Sequence, residues 1–394
     1  MRVERRCARP WRVLIVFYLL TPAAGWAQER ADTARPFVAG GVYDKPYLTT
    51  LLGRTSVGGY AEAHAALTRV DGVTEDAGFS AKRFNLFTAT RVSDIVRMGA
   101  ELEFEEGGEE IKLEYAAIDI LVHPSFALRG GMILSPLGRF NLSHDSPRNE
   151  FTDRPLVATE LLGVALSEPG FGFFGVVPFG AGQRVSYEIY GVNGFDEGVL
   201  ASSSDGTRVP FGRGNFEDNN NSPAAVGRVT WSPSLSLEVG LSGHHGAYNI
   251  FQADGLELDE RRDVRIGALD WEVEVAKIRL TGEAARVGVD VPPSLQGLFA
   301  VRQQGLYTEV VRDFGRGWVS TLPASHFTTG VRLAVVDFDR DVAGDMVRQV
   351  TLGLNFRPTA DTALKLDVLR GVSRDRFNNP SDHAGVRFSI ATYF

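Results

Sequence analysis

One cysteine, Cys7, and only five lysines (Lys45, Lys82, Lys112, Lys277 and Lys365) occur in this chain of 394 residues. Cys7 lies ahead of a short apolar run, so it is not a lipid-modified residue at a cleavage site. With no other thiol, the rest of the chain can form no disulfide, cysteine metal site or cysteine nucleophile. Its stability must come from hydrogen bonding and burial. After the first residues no window of about 18 uncharged apolar residues appears, which excludes a spanning helix. Helical patterning is scarce. Positive charge is nearly all Arg, whose forked guanidinium suits fixed contacts with carboxylates and phosphates.

What is present starts with an expected export signal at 1–27. Arg2, Arg5, Arg6, Arg9 and Arg12 form a basic region, Val13 to Leu20 an apolar one, and Gly25-Trp26-Ala27 a small-residue cleavage site. The signal holds five Arg and one Glu, so its removal takes the net charge from −8 to −12. A chain this acidic is not expected to bind nucleic acid. Residues 28–56 alternate poorly and contain Pro36, Pro46 and several Gly; they read as a periplasmic lead-in.

From about residue 57 the apolar residues alternate with charged ones at a period of two. Val96, Met98, Ala100, Leu102 and Phe104 oppose Arg97, Glu101, Glu103 and Glu105. Leu235, Leu237, Val239 and Leu241 oppose Ser236, Glu238, Ser242 and His244. Val350, Leu352, Leu354 and Phe356 oppose Gln349, Thr351, Asn355 and Arg357. Strands are expected at about 57–70, 80–91, 94–106, 109–121, 126–134, 158–178, 184–193, 224–231, 234–247, 262–273, 276–289, 300–313, 327–338, 346–357, 361–371 and 383–394. That makes sixteen; eighteen stays open if 158–178 is a hairpin and one further strand exists. Long connections are expected at about 134–158, 194–223, 248–261 and 372–382, alternating with short ones. The segment 314–326 is long, and Glu106-Gly107-Gly108 short, for its side.

A soluble sandwich would gather the apolar faces into one core. A transmembrane barrel turns them to lipid and its polar faces to water. Burying so many ionised groups in a dry sandwich would cost several kcal/mol for each unpaired charge, and sixteen strands close more naturally than they stack. The expected fold is therefore all-β, a closed antiparallel transmembrane barrel over 57–394.

The segment 126–157, FALRGGMILSPLGRFNLSHDSPRNEFTDRPLV, joins a Gly-rich strand to a Pro-Leu-Gly turn and a polar loop. With GGYAEAHA at 58–65, ELEFE at 101–105 and YEIYGVNGFDEG at 187–198, it resembles the outer-membrane porin superfamily that includes phosphate-selective porins O and P and related dicarboxylate porins. The resemblance implies a homotrimer of barrels in the bacterial outer membrane, each passing small hydrophilic solutes. It implies that the loop at about 135–157 folds inward as a constriction carrying Arg139, His144, Asp145, Arg148, Glu150, Asp153 and Arg154. The terminal Phe394 resembles the assembly signal read by the barrel-insertion machinery. The family points to anionic solutes, whereas the net charge points to cations. The poverty of lysine departs from the phosphate-selective pattern.

Inner positions of the strands are read as a charged lumen wall: Arg97, Glu101, Glu103, Lys112, Glu114, Arg184, Glu188, Arg279, Glu283, Arg332 and Arg387. Rings of such charges set ion preference. The carboxylates could instead be an acid/base set, but catalytic pairs need a cleft that drives their pKa values apart. Other patterns fit chemistry less well. Ser143-His144-Asp145 places triad residue types in a row, yet neighbours in a chain point apart. Gly170, Gly172 and Gly175 spell G-x-G-x-x-G without the helix that a dinucleotide site needs, so they read as a smooth or bulged wall. His244-His245 would face opposite sides of a strand. Glu217 to Asn221 lacks the spacing of a calcium loop. No catalysis, cofactor or metal is expected. The partners expected are outer-membrane lipid, the insertion machinery, two further copies and the solutes. A structural or adhesive barrel with a filled, non-conducting lumen is the alternative.

Overall fold

The structure is a computed structural model that describes Lys45 and residues 49–51, 54–180, 182–200 and 206–394. The expected signal, and the lead-in apart from Lys45, 49–51 and 54–56, lie outside the described residues.

Sixteen long strands close into a barrel. In chain order they are β1 Thr55–Val70, β2 Val73–Arg91, β3 Val96–Glu105, β4 Glu110–His123, β5 Phe126–Leu134, β6 Ser167–Phe179, β7 Gln183–Val192 and β8 Ala224–Ser234. Then follow β9 Leu237–Ala247, β10 Asp263–Val275, β11 Ile278–Val289, β12 Arg302–Phe314, β13 His326–Asp337, β14 Met346–Arg357, β15 Thr362–Arg374 and β16 Pro380–Tyr393. Each pairs antiparallel with the next, and β16 returns to β1, from His383 opposite Val70 to Tyr393 opposite Tyr60. Closure leaves no strand edge open, which a lipid environment demands of a sheet. An additional short strand, Thr49–Leu51, pairs with the start of β1.

The start of β1 and Phe394 lie at one end, here the terminal end, and the other is the loop end. Phe394 is bound in place: its N–H donates to the Gly59 carbonyl at 3.0 Å and its ring stacks on Phe84 at 5.6 Å.

Two expected boundaries are wrong, each for a local reason. Residues 158–178 are not one strand. Val157–Leu162 winds as a short π-helix, closed by Gly163 in the left-handed region at φ 78°, and β6 begins only at Ser167. Val157, Ala158, Leu161 and Leu162 share its buried side, and Ala, Leu and Glu are good helix formers. The eighteen-strand count falls with it. In turn, β2 begins at Val73 rather than near 80, because Asp71-Gly72 makes a two-residue turn with φ 49° and 82°. Both angles are positive, as a type I′ hairpin requires, and Asp-Gly supplies them at low cost. The connection after β15, at 375–379, is also shorter than expected. The long terminal-end segment at 315–325 and the short Glu106–Gly108 turn stand as expected.

The glycines at 170, 172 and 175 serve close packing of β6. A Cβ at Gly172 would overlap the Ile189 carbonyl oxygen of β7, and one at Gly175 the carbonyl of Ser125. Gly172→Val is therefore expected to cost at least about 1–3 kcal/mol through overpacking. The measurement is the yield of heat-modifiable, folded barrel on refolding; a wild-type yield would show that the wall gives way there.

Candidate functional site

The period of two places one set of side chains inside the barrel. On β1 to β3 these include Glu62, His64, Asn85, Phe87, Glu101 and Glu103. On β4 a bulge opposite Glu101 and Leu102 turns both Glu114 and Tyr115 inward. Lys365, Asp367, Ser389 and Tyr393 face inward from β15 and β16.

Residues 135–166, joining β5 to β6, fold into this interior. Their main-chain groups and side chains are tied to β1, β3, β4, β9 to β11 and β13 to β16, so the segment crosses the bore. Three clusters hold it. Around Glu150, the carboxylate pairs with Arg279 of β11 and, at 3.3 Å, Arg357 of β14, and accepts from Thr328 at 2.7 Å and Asn355 at 3.0 Å. Burial pushes Glu150 up, but the two guanidiniums outweigh it and hold the carboxyl at about 2. Arg357 also donates to the Pro147 carbonyl at 2.8 Å.

Around Asp153, Arg332 of β13 donates to its carbonyl at 2.6 Å and Arg387 of β16 to its carboxylate at 3.2 Å. Arg332 also binds Glu309 at 2.8 Å and lies over the Phe151 ring at 4.4 Å. Nearby, the Thr152 N–H donates to Asp367 at 2.5 Å, and Lys365 to the Ser146 carbonyl at 2.6 Å.

Around Asp145, Lys45 from the lead-in reaches its carboxylate at 2.8 Å and Glu101 at 2.5 Å, with the Phe87 ring at 5.0 Å. The Tyr393 hydroxyl donates to Asp145 at 2.8 Å. Burial works against the charge of Lys45, yet Asp145, Glu101 and Glu114 more than offset it and raise its pKa well above the ordinary value. Asp145 is likewise raised by burial but brought down to about 2 by Lys45 and its other neighbours. His144 Nδ1 lies 2.8 Å from the Asn141 carbonyl, which can only accept, so Nδ1 carries hydrogen. Its Nε2 lies 2.7 Å from Glu114. Burial, with Arg154 adding to it, lowers His144 to about 4.

The expected constriction residues are all brought inside. Arg139 pairs with Glu272 of β10, Arg154 lies 3.6 Å from Glu103, and Arg148 is exposed beside Asp145 and Tyr393. The expected wall residues also face inward. Glu101, Glu103, Glu114, Glu188, Glu283 and Arg332 are buried, while Arg97, Lys112, Arg184, Arg279 and Arg387 are half-buried. Ser143-His144-Asp145 forms no triad, since His144 and Asp145 take separate partners. His244 is buried against Phe195 and 3.3 Å from Glu168, whereas His245 points outward. Asn215, Asn219 and Asn220 bond to neighbouring main chain and to one another rather than presenting a ring of oxygens.

The expectation of a uniformly polar lumen needs correction. Near the loop end inward positions of β7, β8, β10, β11 and β13 are apolar: Val192, Val226, Val264, Ile266, Val287, Val289 and Val336. They pack against Val157, Leu161 and Leu162 of the helix and Val199 and Val209 of the 193–223 connection. This is an apolar core inside the barrel. A cleft of about 400 Å³ remains between the helix, Arg208, Phe211 and Val347. The inward segment is also longer than expected, ending at 166 rather than 157.

Outside, the alternate positions carry exposed Leu306, Leu333, Leu352 and Leu366. An apolar belt around a closed barrel has hydrocarbon as its solvent. No family model matches the chain. An uncharacterized protein of Aquifex aeolicus (strain VF5) is 27% identical over 370 residues, covering 84% of this chain and 79% of its own. Among solved structures, the outer membrane channel DcaP of Acinetobacter baumannii superposes with a TM-score of 0.56 at 12% identity, covering 88% of this chain and 99% of its own. OmpF of Salmonella typhi gives 0.56 at 12%, covering 87% and 98%. An anion-selective porin from Comamonas acidovorans gives 0.53 at 13%, covering 86% and 99%. The fold is that of the outer-membrane porins. A closed barrel of this kind with an apolar belt belongs in the bacterial outer membrane.

Proposed function

We propose that this chain is a passive channel for small hydrophilic solutes, narrowed by residues 135–166. The observation that carries the reading is the inward segment itself, tied across the bore by ionised groups. Some of these groups keep access to water: the side chains of Arg139, Arg279 and Asp153 are 33%, 32% and 39% exposed. Arg139, His144, Asp145, Arg148, Glu150, Asp153 and Arg154 then form the filter, and the charged wall orients solutes beside it. The exposed guanidinium of Arg148 favours anions at the filter. Trimer assembly and recognition of Phe394 by the insertion machinery belong to the same reading.

Planar-bilayer recording tests it. Stable single-channel steps are expected. Arg148→Glu should move the reversal potential in a salt gradient towards cation preference, since a ring charge at a constriction sets selectivity. An unchanged potential would remove Arg148 from the filter.

The apolar packing at the loop end favours a second reading, a non-conducting structural or adhesive barrel. Lys365 and Glu101 on the wall are 0% exposed, as in a filled interior. Silence from folded, inserted protein would decide for it.

A further inference from the structure

The outer surface of the barrel is uncharged through its middle, and charge returns at the loop end. Arg286 of β11, Arg348 of β14 and Arg370 of β15 face outward there, each within five residues of the loop end of its strand. All three are exposed, and none of the three guanidiniums makes a hydrogen bond or ion pair with any described residue. Arg370 lies opposite Val350 and Arg348 opposite Val372, so these two are diagonal neighbours on adjacent strands. Arg286 is flanked by two more. Gly288, two residues on, lies opposite both Arg265 of β10 and Arg302 of β12. A Cβ built at Gly288 or Gly267 would meet nothing within 4 Å, so the floor between these arginines is open.

The surrounding carboxylates are few and sit towards the loops. Asp290 and Asp263 lie 3.0 and 3.7 Å from Arg265, and Asp341 pairs with Arg302. Asp337 stands between the two arginine groups with Gln304 at 3.4 Å. The pairs on Arg265 and Arg302 are exposed and occupy only part of each five-donor fork, so donors remain free.

We propose that this face binds a phosphorylated glycolipid of the outer leaflet. Arginine on the lipid side costs about 2–4 kcal/mol at the midplane and about 0–1 near the interface, which places this row at headgroup height. A guanidinium matches phosphate with two parallel N–H donors. Below it, Leu306, Leu352 and Leu366 offer apolar wall to the acyl chains of the same molecule. A free phosphate could use only the first contact. The inference rests on the barrel spanning the outer membrane with its long loops outward, the arrangement of such barrels, and holds whether or not the lumen conducts.

The test uses the full folded chain in detergent and native mass spectrometry. The probes are an acylated glucosamine disaccharide bearing phosphates, the same lipid with its phosphates removed, and inorganic phosphate. Wild type is expected to retain the phosphorylated lipid about tenfold better than the dephosphorylated one. A triple variant, Arg286→Gln, Arg348→Gln and Arg370→Gln, should lose that preference. Arg312→Gln, on β12 at the opposite end, should keep it. Equal retention of both lipids by wild type overturns the proposal without any variant, should the triple fail to fold. So does an unchanged preference in a folded triple. Displacement of the lipid by millimolar inorganic phosphate would show a plain anion site and also overturn it.

Discussion

Replacing Glu150 with Ala is expected to raise single-channel conductance several-fold and to make the open level noisy. Glu150 is the carboxylate on which Arg279, Arg357, Thr328 and Asn355 converge. Its removal leaves two guanidiniums facing each other across a partly buried site without a counter-charge. Breaking a buried pair by deleting one partner costs about 3–5 kcal/mol, and solvent access to Arg279 places this site at the low end. The segment retains its ties at Asp153 and Asp145, so the barrel should still fold. A local loss of about 3 kcal/mol nonetheless shifts a bound–released equilibrium by about a hundredfold. Glu150→Gln should fall between, because it keeps the acceptor oxygen and loses the charge. If Glu150→Ala conducts like wild type while the segment becomes sensitive to protease, the segment does not limit flow.

Much of the barrel is legible in the sequence, and what is not legible has physical causes. Alternation alone gave the strands and the inward set from Arg97 to Arg387, because a half-lipid, half-interior strand has only one workable phase. It missed Lys365 and Asp367 as partners of the inward segment, although both lie in the inward phase of β15. Lys45 carried no signal, since nothing in an irregular lead-in indicates which residue enters the barrel. The helix at 157–162 was read as strand because an apolar run flanking Gly-rich sequence looks the same in either state. The Asp71-Gly72 turn carries the sequence signal of a two-residue hairpin. The largest misreading was the interior near the loop end. Val264, Ile266 and Val287 alternate with Arg265 and Arg286, and a rule that turns apolar residues to lipid puts those arginines inside. The strands keep one phase throughout, and at that height the polarity of the two faces is exchanged. There the inner face meets a packed core, and the outer face has already risen out of the hydrocarbon.

Acid is expected to release the inward segment in two stages, with the upper one assigned to His144. Glu150 and Asp145 are both held at about 2, below ordinary values of 4.5 and 3.8, burial being outweighed by the cations beside them. A depressed carboxylate stabilises the bound state above its free pKa, and that stabilisation is lost as the pH falls towards the bound value. His144 is lowered from 6.5 to about 4, chiefly by burial. A depressed imidazole exacts nothing above pH 6.5; between there and about 4 the released state takes up the proton first and the bound state loses ground. Both effects weaken the segment on acidification, and neither operates at pH 7. Each group contributes on the order of 2–3 kcal/mol at most, at 1.36 kcal/mol per pKa unit. Conductance should therefore begin to rise below about pH 6 and rise again below about pH 4. His144→Asn should abolish the first stage, since its amide can still donate to the Asn141 carbonyl but does not titrate, and should leave the second. Lys45 is charged throughout this range and adds no stage of its own. Recordings from pH 7 to 3 on wild type and His144→Asn decide the matter. A flat profile, or an upper stage that survives in His144→Asn, would show that these buried groups do not govern the segment.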